Sequence, residues 1–362
     1  MRASLACYRS PTMNDTRARA HNGIHSVLEK DHNYIFVDAT MQSWPDADYD
    51  IAHRHGVTAY GVTACRPHAG FESAMEDLME WHRLVTGYEN LIVAETVSDI
   101  RAAKKDGRAA FVIAAQGADW VGRKLYRIEA MQRIGLRQLL FAYNATNQLA
   151  DGCLDSTEGG LSKLGARVVE ECDRVGILLD GTHTGKRSTL EMIDKSAMPI
   201  IFSHSNPSAL VPNARNIDDE QIAACARRGG VLCLAPWGPL VMRPKTTHQP
   251  TVDDFIDLVD HVANLTGSAN HIGIGTDMSL GSYPEHEHDA WGGPDYGNPF
   301  AEYGEKITAD QRSPKRNLDG FDDFAQVVNL IDRLGARGYS DEDIGKILGE
   351  NYLRVAAEVW QA

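Results

Sequence analysis

Eight short apolar runs, separated by segments of helical periodicity, constrain this 362-residue chain more than any other feature. They are Tyr34–Asp38, Val57–Ala64, Ala109–Ala115, Gln138–Tyr143, Gly176–Asp180, Ile200–Ser203, Gly230–Ala235 and His271–Gly275. Several are continuous Val/Ile/Leu stretches, the pattern of strands covered on both faces. Between them, Phe71–Leu84 and Asp218–Arg228 carry helical patterns. Strict βα alternation over this length predicts an α/β fold of TIM-barrel type, a closed (β/α)8 barrel. A doubly wound sheet competes, but no G-x-G-x-x-G follows any run. One domain over 1–362 is expected, with an N-terminal extension at 1–33, a lid-like loop at 278–316 and C-terminal helices at 319–362 packed outside the barrel. The loop is rich in Gly, Pro, Tyr and acidic residues, and a loop of that length in a compact domain is usually functional.

Composition narrows the function classes. With 43% hydrophobic and 24% charged residues the chain has ample core, and its net charge of −14 argues against nucleic-acid partners. No apolar h-region and no run of eighteen apolar residues is present, so neither a secretory leader nor a membrane span is expected and the cytoplasm is the default. The six cysteines are scattered without a C-x-x-C pair and read as reduced core thiols.

Chemistry concentrates where the runs end. His183 follows Val175-Gly-Ile-Leu-Leu-Asp-Gly-Thr, and His204 follows Pro199-Ile-Ile-Phe-Ser. In a barrel all strand ends open on one face, so imidazoles from neighbouring strands can meet over one metal ion. Asp277 comes after His271-Ile-Gly-Ile-Gly-Thr. Alone it would read as a turn or N-cap residue; beside two strand-end histidines it reads as a ligand or proton shuttle. Arg215 reads equally as a surface residue before a helix marked by Asp218 and Asp219, or as a clamp for a substrate carboxylate. Pro284-Glu-His286-Glu-His288-Asp289 has chelating spacing but reads better as a solvated acidic loop. Gly181-Thr-His-Thr-Gly185-Lys186 is one residue short of a phosphate loop, and neither G-x-S-x-G nor H-E-x-x-H is present.

Taken in order, Asp180-Gly-Thr-His183-Thr-Gly, Pro199-Ile-Ile-Phe-Ser-His204-Ser-Asn, Ala214-Arg215-Asn-Ile-Asp-Asp, His271-Ile-Gly-Ile-Gly-Thr-Asp277 and Leu348-Gly-Glu-Asn-Tyr-Leu-Arg-Val355 resemble the membrane (renal) dipeptidase family, from about Tyr34 to the end. The resemblance implies a metal-dependent, amidohydrolase-like barrel that cleaves dipeptides with two zinc ions bridged by a glutamate. It implies His183 and His204 as ligands of one zinc, Asp277 as ligand of the other and proton relay, and Arg215 as substrate holder. Dimers are usual among such relatives, so a homodimer is a candidate state.

Four positions depart from the family's pattern. Thr40 and Gln42 stand where its first strand carries His-x-Asp, Gln116 where it carries the bridging glutamate, and Tyr143 where it carries a further histidine. Two dications about 3.5 Å apart repel by roughly 20 kcal/mol at an effective dielectric near 20. The neutral amide of Gln116 offsets none of that. The expectation is therefore one Zn2+ or another divalent ion, held by His183, His204 and Asp277. Gln116 is left a hydrogen-bonding role toward substrate, and Tyr143 would stabilise an oxyanion. The leading reading is a hydrolase of a dipeptide or similar carboxylate-bearing amide. Two alternatives stay open: a lyase- or isomerase-like reaction on the same scaffold, and a non-catalytic binding protein.

Overall fold

A computed structural model of the chain describes residues 33–360 except 45–46, 66, 156–157, 247 and 282–315. Among the described residues ten strands run in chain order: β1 (Phe36–Ser43), β2 (Val57–Cys65), β3 (Leu91–Val93), β4 (Ala109–Gln116), β5 (Leu136–Leu140), β6 (Leu178–Asp180), β7 (Ile201–Phe202), β8 (Val231–Leu234), β9 (Ile272–Ile274) and β10 (Ser279–Leu280). Eight of them, β1-β2-β4-β5-β6-β7-β8-β9, form consecutive parallel pairs, and Asp38 of β1 pairs with Ile274 of β9. That last pairing closes the sheet into the expected (β/α)8 barrel. All eight apolar runs contribute barrel strands. In β4 every residue is buried, which is why no alternation marks it in the sequence.

Two short strands were not expected. Leu91–Val93 adds to the lower half of β4 through Leu91↔Ala109 and is too brief to stand out as a run. Ser279–Leu280 pairs with Gln42 and Ser43, and this long-range partner extends the first strand beyond its expected end at Asp38. The fourth run stops early: Phe141–Tyr143 leave the ladder, and Asn144 takes a left-handed conformation at φ 66°. The lid-like loop and its Pro284–Asp289 cluster lie largely outside the described residues, as do Cys7 and the N-terminal extension.

Local signals set the helices. Thr96 and Asp99 form a reciprocal capping box before Val97–Lys105, and Asp218 with Gln221 does the same before Asp219–Arg227. At the other end of the barrel, the helix Asn351–Val359 packs on a cluster of small strand residues that includes Val37, Ala59, Ala110 and Val231. It forms a floor under the barrel. The Tyr352 hydroxyl donates to Gln138 Oε1 at 2.9 Å, and Asn351 Nδ2 donates to the carbonyls of Ala269 and Ile272.

Because Gln138 Oε1 is buried, losing its donor leaves an acceptor unsatisfied. Tyr352→Phe is expected to lower unfolding free energy by about 1–3 kcal/mol in urea titrations, with the ring's packing retained.

Candidate active site

Two buried carboxylates organise the ends of the strands. Asp180 Oδ1 accepts from Thr182 N and Ser203 N, each at 3.0 Å, and its Oδ2 accepts from Gln138 Nε2 at 3.1 Å. One side chain thus ties β5, β6 and β7 together just before both histidines. Across the barrel, Asp38 accepts from Thr276 N at 2.8 Å, Thr276 Oγ1 at 2.6 Å and Thr40 N at 3.3 Å. Burial outweighs these donors and pushes the Asp38 carboxyl up to about 7. Both carboxylates sit in a D-x-T step, Asp38-Ala-Thr40 and Asp180-Gly-Thr182, each binding the backbone N–H two residues on. That repeated step is a signal the sequence reading overlooked.

Held this way, His183 and His204 converge. Their Nε2 atoms lie 2.9 Å apart, with both side chains buried. His183 Nδ1 lies 2.6 Å from Asn144 Oδ1, and His204 Nδ1 lies 2.7 Å from Ser203 Oγ. The Tyr143 ring stacks on His183 with centroids 4.0 Å apart, so it clamps the imidazole as well as facing the site. Burial, then Arg215 and the other ring, hold His183 well below the ordinary histidine range; burial and Arg215 do the same to His204. Both rings are neutral, as ligation requires.

Arg215 is buried and donates Nη2 to the His204 carbonyl at 3.1 Å. Its Nη1 is buried without a hydrogen-bond partner among the described residues. Asp277 enters from the far side of β1. Its Oδ1 accepts from Gln42 Nε2 at 3.1 Å, and Gln42 Oε1 accepts from Ser279 Oγ at 3.2 Å. Burial raises the Asp277 carboxyl to about 6, against the Gln42 hydrogen bond and the charges of Arg215 and Arg316. Gln116 is buried at the end of β4. Asn144, His183 and Asp277 all have positive φ (66°, 60° and 52°), and they account for three of the five such non-glycine residues described. Local strain concentrated on one site is a mark of function. Asn144 and Ser203 were missed as site residues because neither lies in an ionisable pattern.

Two of the expected ligands, His183 and His204, meet in the structure. Two neutral imidazoles suit a zinc-like cation, and 2.9 Å approaches the roughly 3.3 Å between tetrahedral ligands at bond lengths of about 2.05 Å. Among the described residues, however, no three His, Cys, Asp or Glu side chains are placed to hold a metal. Asp277 Oδ1 is engaged by the Gln42 amide. Thr40 Oγ1 likewise turns away, donating to the Ala39 carbonyl at 2.7 Å.

Comparison with known proteins agrees with this architecture. The family model described as "Membrane dipeptidase (Peptidase family M19)" matches residues 36–291 and 307–362. The dipeptidase tcpJ of Claviceps purpurea is 25% identical over 297 residues, which are 81% of this chain and 61% of that relative. The chain thus spans about three-fifths of that relative's length. A solved amidohydrolase from Pseudomonas aeruginosa superposes with a TM-score of 0.79 at 26% identity, covering 91% of this chain and 98% of the other. The probable dipeptidase PvdM of Pseudomonas aeruginosa shares the fold, with a TM-score of 0.72 at 19% identity over 91% and 96% of the two chains. With the closed barrel and its paired histidines in place, the match over most of the sequence decides the matter: the chain belongs to the membrane dipeptidase family, peptidase family M19.

Proposed function

We propose that this protein is a dipeptidase-type hydrolase that cleaves a dipeptide or similar small amide bearing a free carboxylate, at a reduced and at most mononuclear metal site. The observation that carries the substrate class is the buried guanidinium of Arg215, which has an unpartnered Nη1 beside the two neutral imidazoles. A buried donor without an acceptor is costly, and a substrate carboxylate accepting from Nη1 relieves that cost. Named dipeptidases among the relatives support the same class.

His183 and His204 are the residues that would hold a divalent ion, zinc first among candidates. Such an ion, when bound, supplies Lewis-acid polarisation of a carbonyl and activation of water. Arg215 fixes the substrate's carboxylate, and Asp277 takes up and returns the proton needed by the leaving amine. Tyr143, stacked on His183, offers its hydroxyl to the developing oxyanion, and Gln116 adds a neutral hydrogen-bonding group. The five described cysteines are free thiols, which supports a reducing compartment such as the cytoplasm. Among the described residues no helix is long and apolar enough to cross a membrane.

One observation favours a second reading, a lyase- or isomerase-like reaction on the same scaffold. The Gln42 amide occupies the Asp277 carboxylate, where the family pattern carries an aspartate ligand of the first zinc. Turnover of a non-peptide metabolite that survives exhaustive chelation would replace the hydrolytic reading with this one.

Two measurements test the hydrolase. Arg215→Met should lower kcat/KM on L,L and L,D dipeptides by about 100-fold or more, the equivalent of roughly 3 kcal/mol. The same variant should leave C-terminally amidated substrates nearly unaffected, since they lack the group Arg215 binds. Equal losses on both substrate sets would remove the carboxylate assignment. Asp277 must be ionised to act as base, so kcat/KM should fall as pH drops through about 6. Asp277→Asn should abolish that acid limb and reduce the rate by about 100- to 10,000-fold.

A further inference from the structure

Three asparagines, Asn206, Asn213 and Asn216, share with Arg215 the loop that follows β7, and the structure ties each of them to the segment 235–241 that follows β8. Asn206 is fully buried and pairs with Ala235 as a strand backbone would. Its Oδ1 accepts from Ala235 N at 2.9 Å, and its Nδ2 donates to the carbonyls of Ala235 at 2.8 Å and Leu240 at 3.1 Å. Asn216 Nδ2 donates to the same Leu240 carbonyl at 3.2 Å and to the Val211 carbonyl at 2.9 Å, while its Oδ1 accepts from Asn206 N at 3.2 Å. Every N–H of these two side-chain amides is thus engaged. Asn213 Oδ1 accepts from Arg215 N at 2.9 Å, which sets the turn the arginine side chain departs from. Asn213 Nδ2 donates to the Pro239 carbonyl at 3.4 Å.

Pro239 and Leu240 lie in a short helix, Gly238–Val241, and the last carbonyls of a helix have no partner within it. The β7 loop supplies the missing donors. At its base that loop also closes on itself, with Ile217 N donating to the Asn206 carbonyl at 2.9 Å and Ser208 N to the Ile217 carbonyl at 2.8 Å. Arg215 needs such a hold. Its Nη2 donates to the His204 carbonyl, but Nη1 is buried with no acceptor among the described residues. A buried donor in that state favours any motion that returns it to water, and a long side chain gains rotamers by leaving.

We propose that Asn206, Asn213 and Asn216 are positioning residues that lock the β7 and β8 loops together and keep the Arg215 guanidinium in place before substrate arrives. Their effect on substrate rests on the proposed reading of Arg215 as the carboxylate clamp; the lock itself stands on the hydrogen bonds alone. A clamp already in place spares binding the ordering of loop and side chain. Loosening the lock therefore weakens capture of the carboxylate and leaves the bond-breaking step largely intact.

Hydrogen exchange on the full chain, without substrate, tests the lock. Asn216→Ala should speed exchange by about 10-fold or more in peptides covering 206–217 and 235–241, with peptides of β4 and β5 at the wild-type rate. Unchanged exchange in both loops overturns the lock.

Kinetics on L-alanyl-L-alanine and its C-terminal amide test the positioning. Asn206→Ala and Asn216→Ala should raise KM for the free dipeptide by about 10- to 100-fold, change kcat by no more than about 3-fold, and lower kcat/KM for the amide by no more than about 3-fold. Asn213→Ala should act in the same direction. Asn213→Ser, which offers Arg215 N a hydroxyl acceptor, should bring KM back to within about 3-fold of wild type. Asn213 is only part-buried, so this pair decides the matter even if the Asn206 variant does not fold. A loss carried by kcat, or an equal loss on dipeptide and amide, makes the asparagines merely structural and overturns the proposal. If Arg215→Met itself fails to separate dipeptide from amide, the carboxylate reading falls and the positioning role with it, while hydrogen exchange still decides the lock.

Discussion

The buried carboxylate of Asp180 is the constraint on which this site depends. It accepts two backbone N–H groups, those of Thr182 and Ser203, and thereby fixes the turns that deliver His183 and His204. Its other oxygen takes the Gln138 amide, whose carbonyl receives the Tyr352 hydroxyl from the floor of the barrel. A polar path thus runs from the C-terminal helix through the barrel interior to the mouth. A carboxylate sealed from water is costly unless donors surround it, and here they come from separate strands, so the cost is offset only in the closed barrel.

The same logic gives the mouth its electrostatic character. Burial and Arg215 keep both imidazoles neutral, and burial lifts the Asp277 carboxyl toward neutrality. Arg215 keeps one buried donor, Nη1, without an acceptor among the described residues. The protein carries an overall charge of −14, yet on the proposed reading this site takes an anion. A substrate carboxylate would enter against the global field and be held by a local one.

On the β1 side, neutral groups take the place of charged ligands. Gln42 ties Asp277 to Ser279, and Ser279 receives Arg316 Nη2 at 3.3 Å and Trp44 Nε1 at 3.2 Å. The result is a built network in the half of the site where a dinuclear relative would need carboxylates. Against the family's pattern, Gln42 and Gln116 each put a neutral amide in place of a carboxylate, and Thr40 puts a hydroxyl in place of an imidazole.

How much of this was legible depends on how far apart the partners are in the chain. The barrel strands, the helix opening at Asp218 and the strand-end placement of the two histidines follow from periodicity and burial within short segments, which one stretch of sequence records directly. The pairing of Gln42 with Asp277 across 235 residues, and of Tyr352 with Gln138 across 214, had no local trace. Asn144 and Ser203 escaped notice for a related reason: a neutral amide and a hydroxyl acquire meaning only when an imidazole nitrogen is brought against them. Sequence alone determined the eight barrel strands and that His183 and His204 lie at strand ends. Closure of the barrel decided which of those groups meet, because hydrogen bonds are directional and short, and their partners are chosen only when distant strands are fixed in register.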